Sequence, residues 1–177
     1  YPLLASIAFR QGARPLMNEL AQSLQCSVSM GIRDRLSIIY VETSRSDTRN
    51  SIQYSDIGLH FPIASTAIGH AFLAGCDVAT RESLLNAIRI RTPSTWARCK
   101  VPLLQVHDEF ARKGFCSGLG EQHPDFHAVG VPMGRPIDGE LLVFNCVVPI
   151  NRLKRNGIDK VFGPQLAAMV EQLRNPT

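Results

Sequence analysis

The apolar residues switch back and forth between helical and strand-like spacing, and the order of those switches limits the folds open to the chain. Ala13, Leu16, Met17, Leu20 and Leu24 recur at helical spacing, with Asn18, Glu19, Gln22 and Gln25 on the other face. This predicts an amphipathic helix over about residues 14–24, with Pro15 in its first turn, where a missing N–H does no harm. Residues 27–32 then alternate small or polar with apolar, Asp34 and Arg35 supply a turn, and residues 36–41 are rich in β-formers. The natural reading is a hairpin. Polar residues from Thr43 to Asn50 mark a loop, and Pro62 closes the segment after it.

The middle of the chain is helical. Ser65 or Thr66 can cap a short helix that runs through Leu73 and ends at Gly75, because a hydroxyl there accepts from N–H groups the first turn leaves unpaired. A second helix over residues 80–90 should stop near Pro93. A third, over residues 94–113, should break before Pro102 and end at Gly114 in a left-handed cap. Strand-like runs return at 115–117, 126–133 and 141–148, the last two joined by the turn sequence Pro136-Ile137-Asp138-Gly139. Leu166, Met169, Val170 and Leu173 line a closing helix. Strands at both ends of a helical middle predict an α+β domain, an antiparallel sheet covered by helices.

At 177 residues with 45% hydrophobic content, one core is expected, without need of a disulfide or metal to hold it. The net charge of +4 is scattered, and the densest basic group, Arg152, Lys154 and Arg155, has no interleaved aromatic residues, so nucleic-acid binding by this chain is not supported. The five cysteines are widely spaced with no knuckle pair. A reducing, cytoplasmic setting is the expectation. No run reaches the length of a membrane span, and the first residues do not read as an export leader.

Catalytic motifs are missing: there is no nucleophile elbow, phosphate loop or zinc-protease helix. Cys116 with His107, His123 or His127 is the best dyad available, and chance accounts for such spacing. Glu121, His123, Asp125 and His127 are the densest metal-capable group, but Pro124 disfavours both a helix and a continuous strand there, so a surface loop is expected and no metal. If that loop covers a pocket mouth, Glu121 or His123 would touch a ligand. No catalytic residue and no cofactor is assigned.

Two blocks carry a family likeness. Pro62-Ile63-Ala64-Ser65-Thr66-Ala67-Ile68-Gly69-His70-Ala71-Phe72-Leu73-Ala74 resembles, without a gap, a segment of the effector domains of IclR-family transcription regulators. The family usually has histidine at the place of Ala64 and lysine at that of His70. The second block is Lys113-Gly114-Phe115, the loop with Glu121, Ala128-Val129-Gly130-Val131-Pro132 and the stretch to Pro149, again at family spacing. The resemblance covers nearly the whole chain. It implies a GAF-like fold with a small-molecule pocket over residues 1–177, residues 1–14 being the tail of a linker helix. It also implies a winged helix-turn-helix outside this chain through which operator DNA is bound, and assembly as homodimer or homotetramer.

By the same likeness, Phe61, Ala67, Ile68, Gly118, Phe126, Ala128, Val131, Asn145 and Val147 match pocket-facing positions. Gly118 stands where an acidic residue is common and Val147 where a small hydroxyl residue is, which removes two polar contacts to a small acid. The small residues 64–69 at a helix start fit either close packing on a sheet or access of a carboxylate to backbone N–H groups. The residues alone favour packing, and the resemblance favours the ligand. Asn145 on an apolar strand fits either an inter-strand hydrogen bond to backbone or a ligand contact. The apolar set suits an effector with a hydrophobic or aromatic body and one carboxylate. The rival readings are a dimerisation module without ligand and, behind it, a small hydrolase or metal enzyme.

Overall fold

The computed structural model describes residues 2–46 and 56–176, with side chains from residue 7 onward. Its elements are α1 (Pro2–Leu24), β1 (Ser27–Asp34), β2 (Ser37–Arg45), β3 (His60–Pro62), α2 (Ala67–Gly75), α3 (Val78–Arg91), α4 (Pro93–Lys113), β4 (Cys116–Gly118), β5 (Phe126–Pro132), β6 (Val143–Pro149) and α5 (Gly163–Arg174). One sheet of order β3-β2-β1-β6-β5-β4 is antiparallel throughout. This is the α+β, GAF-like arrangement expected, with helices on both faces.

One face packs under α1 and α5, where Val28, Met30, Phe144, Cys146 and Val148 meet Met17, Leu166 and Val170. The other packs under α2 and α4, where Ile38, Tyr40 and Val143 meet Ile68, Phe72 and Leu103. The alternation of side chains along each strand sends neighbours to opposite cores.

Two proline expectations fail. α1 begins before Pro15 and runs through it, and α4 runs unbroken through Pro102. Each proline removes a ladder bond and costs up to about 3 kcal/mol in an isolated helix. Here Ala13 and Met17 flank Pro15, and Cys99, Leu103 and Val106 flank Pro102, all buried, so burial on both sides outweighs the local cost. The left-handed cap at Gly114 is present, at φ 81°. Asp138 and Gly139, at φ 52° and 82°, make the two-residue turn whose twist suits a hairpin.

β2 extends to Arg45, past the start of the expected loop, because Ser27 and Val28 pair with Arg45 and Ser44. The rest of that loop, 47–50, lies outside the described residues. Between Met30 and Gly31 the register slips by one residue: Met30 faces Glu42 while Gly31 faces Tyr40. Val41 is the extra residue of this bulge. Tyr40 and Thr43, three apart, therefore share one face. On the other side Arg10 of α1 donates to the Val41 carbonyl at 2.8 Å, and Arg14 reaches the buried Glu42 carboxylate at 3.0 Å.

Candidate functional site

α2 starts on the sheet itself, and two glycines permit it. A Cβ on Gly130 would lie 2.3 Å from the Ala67 carbonyl oxygen, and one on Gly118 would lie 3.3 Å from the Ala67 nitrogen. Thr66, extended at φ −126°, caps the helix: its Oγ1 accepts from the Gly69 N–H at 3.1 Å and donates to the Pro62 carbonyl at 2.6 Å. The N–H groups of Ala67 and Ile68 stay outside that cap and outside the helical ladder, at the positive end of the helix.

Beside this helix start lies a cavity of about 430 Å³. Its floor is the sheet, with Tyr40, Ala128, Asn145 and Val147; Phe61 and Phe126 form walls, and the loop from Gly118 through His123 covers one side. Tyr40 stacks on Phe61 with ring centroids 4.4 Å apart. Seven of the nine residues expected at a pocket come together here: Phe61, Ala67, Gly118, Phe126, Ala128, Asn145 and Val147.

Ile68 and Val131 do not join them. Val131 is three residues beyond Ala128 on a strand, so it points through the sheet into the core under α1 and α5, and Gly130 takes the position on the cavity side. The Ile68 side chain, one helical step from Ala67, enters the core under α4 and lies 3.3 Å from where a Cβ on Gly31 would be. Only its backbone N–H remains at the helix start.

The small-residue run is divided between close packing and the border of the cavity. Ala67 borders the cavity, while Gly69 is close packing, since a Cβ on it would lie 2.4 Å from the Ile63 backbone.

The cavity also takes in Tyr40, Asp56, Gly120 and Gln122, which pattern reading missed, and Ser65 and Thr66 from the small-residue run, which were not among the nine. Ser65 and Thr66 were visible as the cap, and their hydroxyls were the available signal. Gln122 accepts from the Ser65 hydroxyl at 2.7 Å, which ties the covering loop to the helix start. Glu121 and His123 also line the cavity, whereas Asp125 and His127 do not. Glu121 accepts from the Leu119 N–H at 2.6 Å and His123 Nδ1 accepts from the Asp125 N–H at 3.2 Å, so both shape the loop. Among the described residues no group of three metal-capable side chains could hold an ion.

Asn145 is 3% exposed and makes a side-chain bond rather than the backbone bond considered above. Its Nδ2 donates to the Tyr40 hydroxyl at 2.7 Å. Its Oδ1 is buried with no hydrogen-bond partner among the described residues. Burial pushes the Tyr40 hydroxyl up to about 12, so it stays protonated at neutral pH. Ser29 and Thr43 continue the polar line across the sheet, their hydroxyls 3.0 Å apart.

Two further groups bear on chemistry. His70 in α2 is buried and donates from Nε2 to the Ala64 carbonyl at 2.8 Å; desolvation holds its pKa below the ordinary value. Cys116 is fully buried, and desolvation with the nearby Glu109 raises its thiol far above the ordinary range. It is a packed hydrophobe and a poor nucleophile. No helix among the described residues is long and apolar enough to cross a membrane.

Residues 2–175 match the family described as bacterial transcriptional regulator IclR C-terminal. The chain is 29% identical over 163 residues to the HTH-type transcriptional regulator TsaQ1/TsaQ2 of Comamonas testosteroni, covering 92% of this chain and 59% of that protein. It is 27% identical to XynR of Escherichia coli over 74% of this chain and 52% of XynR. The chain thus spans between 52% and 59% of the length of the curated relatives it matches. Among solved structures, an IclR-family regulator of Brucella abortus superposes with a TM-score of 0.89 at 32% identity, over 100% of this chain and 66% of that one. The inducer-binding domain of PobR from Acinetobacter, a double mutant in complex with 3-hydroxybenzoic acid, shares the fold at TM-score 0.73 and 22% identity, over 95% of this chain and 98% of that domain.

Proposed function

The chain belongs to the IclR family of bacterial transcriptional regulators, and on that premise we propose that it senses a small organic or aromatic acid. The observation that carries the reading is an apolar cavity of about 430 Å³ set against the uncapped N–H groups of Ala67 and Ile68. A carboxylate there meets oriented donors and the positive end of α2. Phe61, Phe126, Ala128 and Val147 receive the apolar body. The complex of PobR with 3-hydroxybenzoic acid supports effector binding on this fold.

Binding modulates operator DNA through a separate N-terminal winged helix-turn-helix, in a cytoplasmic protein that assembles as a homodimer or homotetramer. The chain itself, with +4 scattered over its surface, does not hold duplex DNA at physiological salt. A pure dimerisation module has no use for an open cavity, and the curated relatives are transcriptional regulators rather than enzymes.

The test is a thermal-shift screen of aromatic and short aliphatic acids. A ligand that binds only the folded state at about a hundred times its Kd adds about 2.7 kcal/mol of stability and raises Tm. Ala67→Leu fills the cavity with apolar volume and removes that rise while the fold survives. A screen at millimolar concentrations in which no acid raises Tm overturns the reading. Sedimentation across concentrations tests assembly, and a monomer throughout contradicts it.

A further inference from the structure

A second cavity, of about 350 Å³, lies between α4, β4 and the middle of α2, and shares the covering loop with the first, since Glu121 borders both. Its lining is polar and mostly acidic: Asp108, Glu109 and Glu121 stand against Arg112. Two of the carboxylates are held in place. Glu109 accepts from the Ser117 N–H at 3.1 Å and from the Ser117 hydroxyl at 2.8 Å, and Glu121 accepts from the Leu119 N–H at 2.6 Å. Lys113 lies 3.6 Å from Glu109 but is shared with Asp159 at 3.2 Å.

His70 adds an acceptor to the same cavity. Its side chain is buried, and Nε2 gives its proton to the Ala64 carbonyl, which can only accept. Burial keeps the ring neutral, so Nδ1 carries a lone pair. No hydrogen bond reaches Nδ1 among the described residues. The unpartnered side-chain atoms sealed from solvent among those residues are Ser44 Oγ and Asn145 Oδ1, so Nδ1 keeps contact with the cavity its residue lines. Acceptors therefore dominate the lining. No three metal-capable groups among the described residues converge on one ion. Acceptors spread in this way complement an organic cation with N–H donors at more than one point.

We propose that this cavity binds a short aliphatic diamine, whose N–H groups donate to His70 Nδ1 and to the carboxylates of Glu109 and Glu121, with Asp108 adding charge at the rim. The site is separate from the acid cavity and does not depend on acid sensing.

Calorimetry on the intact chain at neutral pH and low ionic strength tests it, with three probes of one chain length. Putrescine is the dication with N–H donors, butanediol is its neutral counterpart, and the bis-trimethylammonium form is a dication with no N–H. We expect putrescine to bind about ten-fold tighter than either control. Asp108 lines this cavity and not the first, and makes no hydrogen bond or ion pair among the described residues, so Asp108→Asn should leave the fold intact and weaken putrescine several-fold. His70→Lys sets a resident ammonium among the same carboxylates and should abolish binding. Putrescine that does not bind, that binds no better than the bis-quaternary ion, or that binds Asp108→Asn as tightly as the parent overturns the proposal. Binding that persists in folded His70→Lys also overturns it, and if that variant does not fold, Asp108→Asn decides.

Discussion

The face of the sheet under α1 and α5 and the face beside the start of α2 are made by alternate residues of the same strands, yet they are packed to different ends. On β6, Phe144, Cys146 and Val148 are buried in the first core, while Asn145 and Val147 between them border the cavity. On β5, Val129 and Val131 go one way and Ala128 the other. The filled face takes large apolar side chains. The open face takes small ones, a held amide and a tyrosine. Period-two geometry lets one strand line a filled core and an open cavity at once, because alternate side chains go to opposite faces.

The sharpest way to break that division is on the filled side. Phe144→Ala removes a fully buried ring and should cost about 3–5 kcal/mol in urea unfolding, against about 1 kcal/mol or less for Val147→Ala at the cavity. Equal losses at the two positions would mean that the open face is as tightly packed as the other.

Next in size is Gly130→Ala, where a Cβ 2.3 Å from the Ala67 carbonyl oxygen pushes α2 off the sheet. A loss of about 1–3 kcal/mol in thermal unfolding, together with loss of acid-induced stabilisation, is expected. Gly118→Ala probes the same contact more gently. Its Cβ would sit 3.3 Å from the Ala67 nitrogen and shield the anchor, so affinity for an aromatic acid should fall about ten-fold by calorimetry with little change in Tm.

The smallest effect concerns pH. His70 has its folded-state pKa held below the ordinary value of 6.5 by burial, so the unfolded chain binds more protons as pH falls below about 6.5. Stability therefore drops with falling pH in that window, down to the folded pKa, by at most about 1.4 kcal/mol per pH unit. His70→Gln keeps a donor for the Ala64 carbonyl and should flatten the slope measured by denaturation between pH 7 and pH 5. An unchanged slope would place the titrating group elsewhere.

How far sequence reaches differs between fold and site. Element order was legible because burial imposes its period on long segments, and the α2 cap was legible because Thr66 bonds locally. Pro15 and Pro102 misled because their penalty is local while the burial that overrides it comes from other elements. Val131 could have been excluded by parity with Ala128. Tyr40 could not have been placed, since its facing depends on a register slip against β1. The close approach of α2 to Gly118 and Gly130 left no signature of its own, because it comes from a helix distant along the chain. The covering loop carries no periodicity, so its closure over the cavity through Gln122 left no trace in the pattern.

The bulge at Val41 also settles a matter of alignment. An apolar helix on an apolar sheet can slide, because one turn of about 5.4 Å offers nearly the same contacts again. α1 is denied that freedom. The inserted residue presents a carbonyl to the helix, and Arg10 takes it, while Arg14 one turn along grips Glu42 beside it. The two arginines act as an indexing pin that fits one slot. Tyr40, at the rim of that slot, points through to the cavity on the far side. The position of α1 along the sheet and the position of the tyrosine ring are thus set by adjacent links of a single strand, and neither can be displaced there without moving the other's mounting.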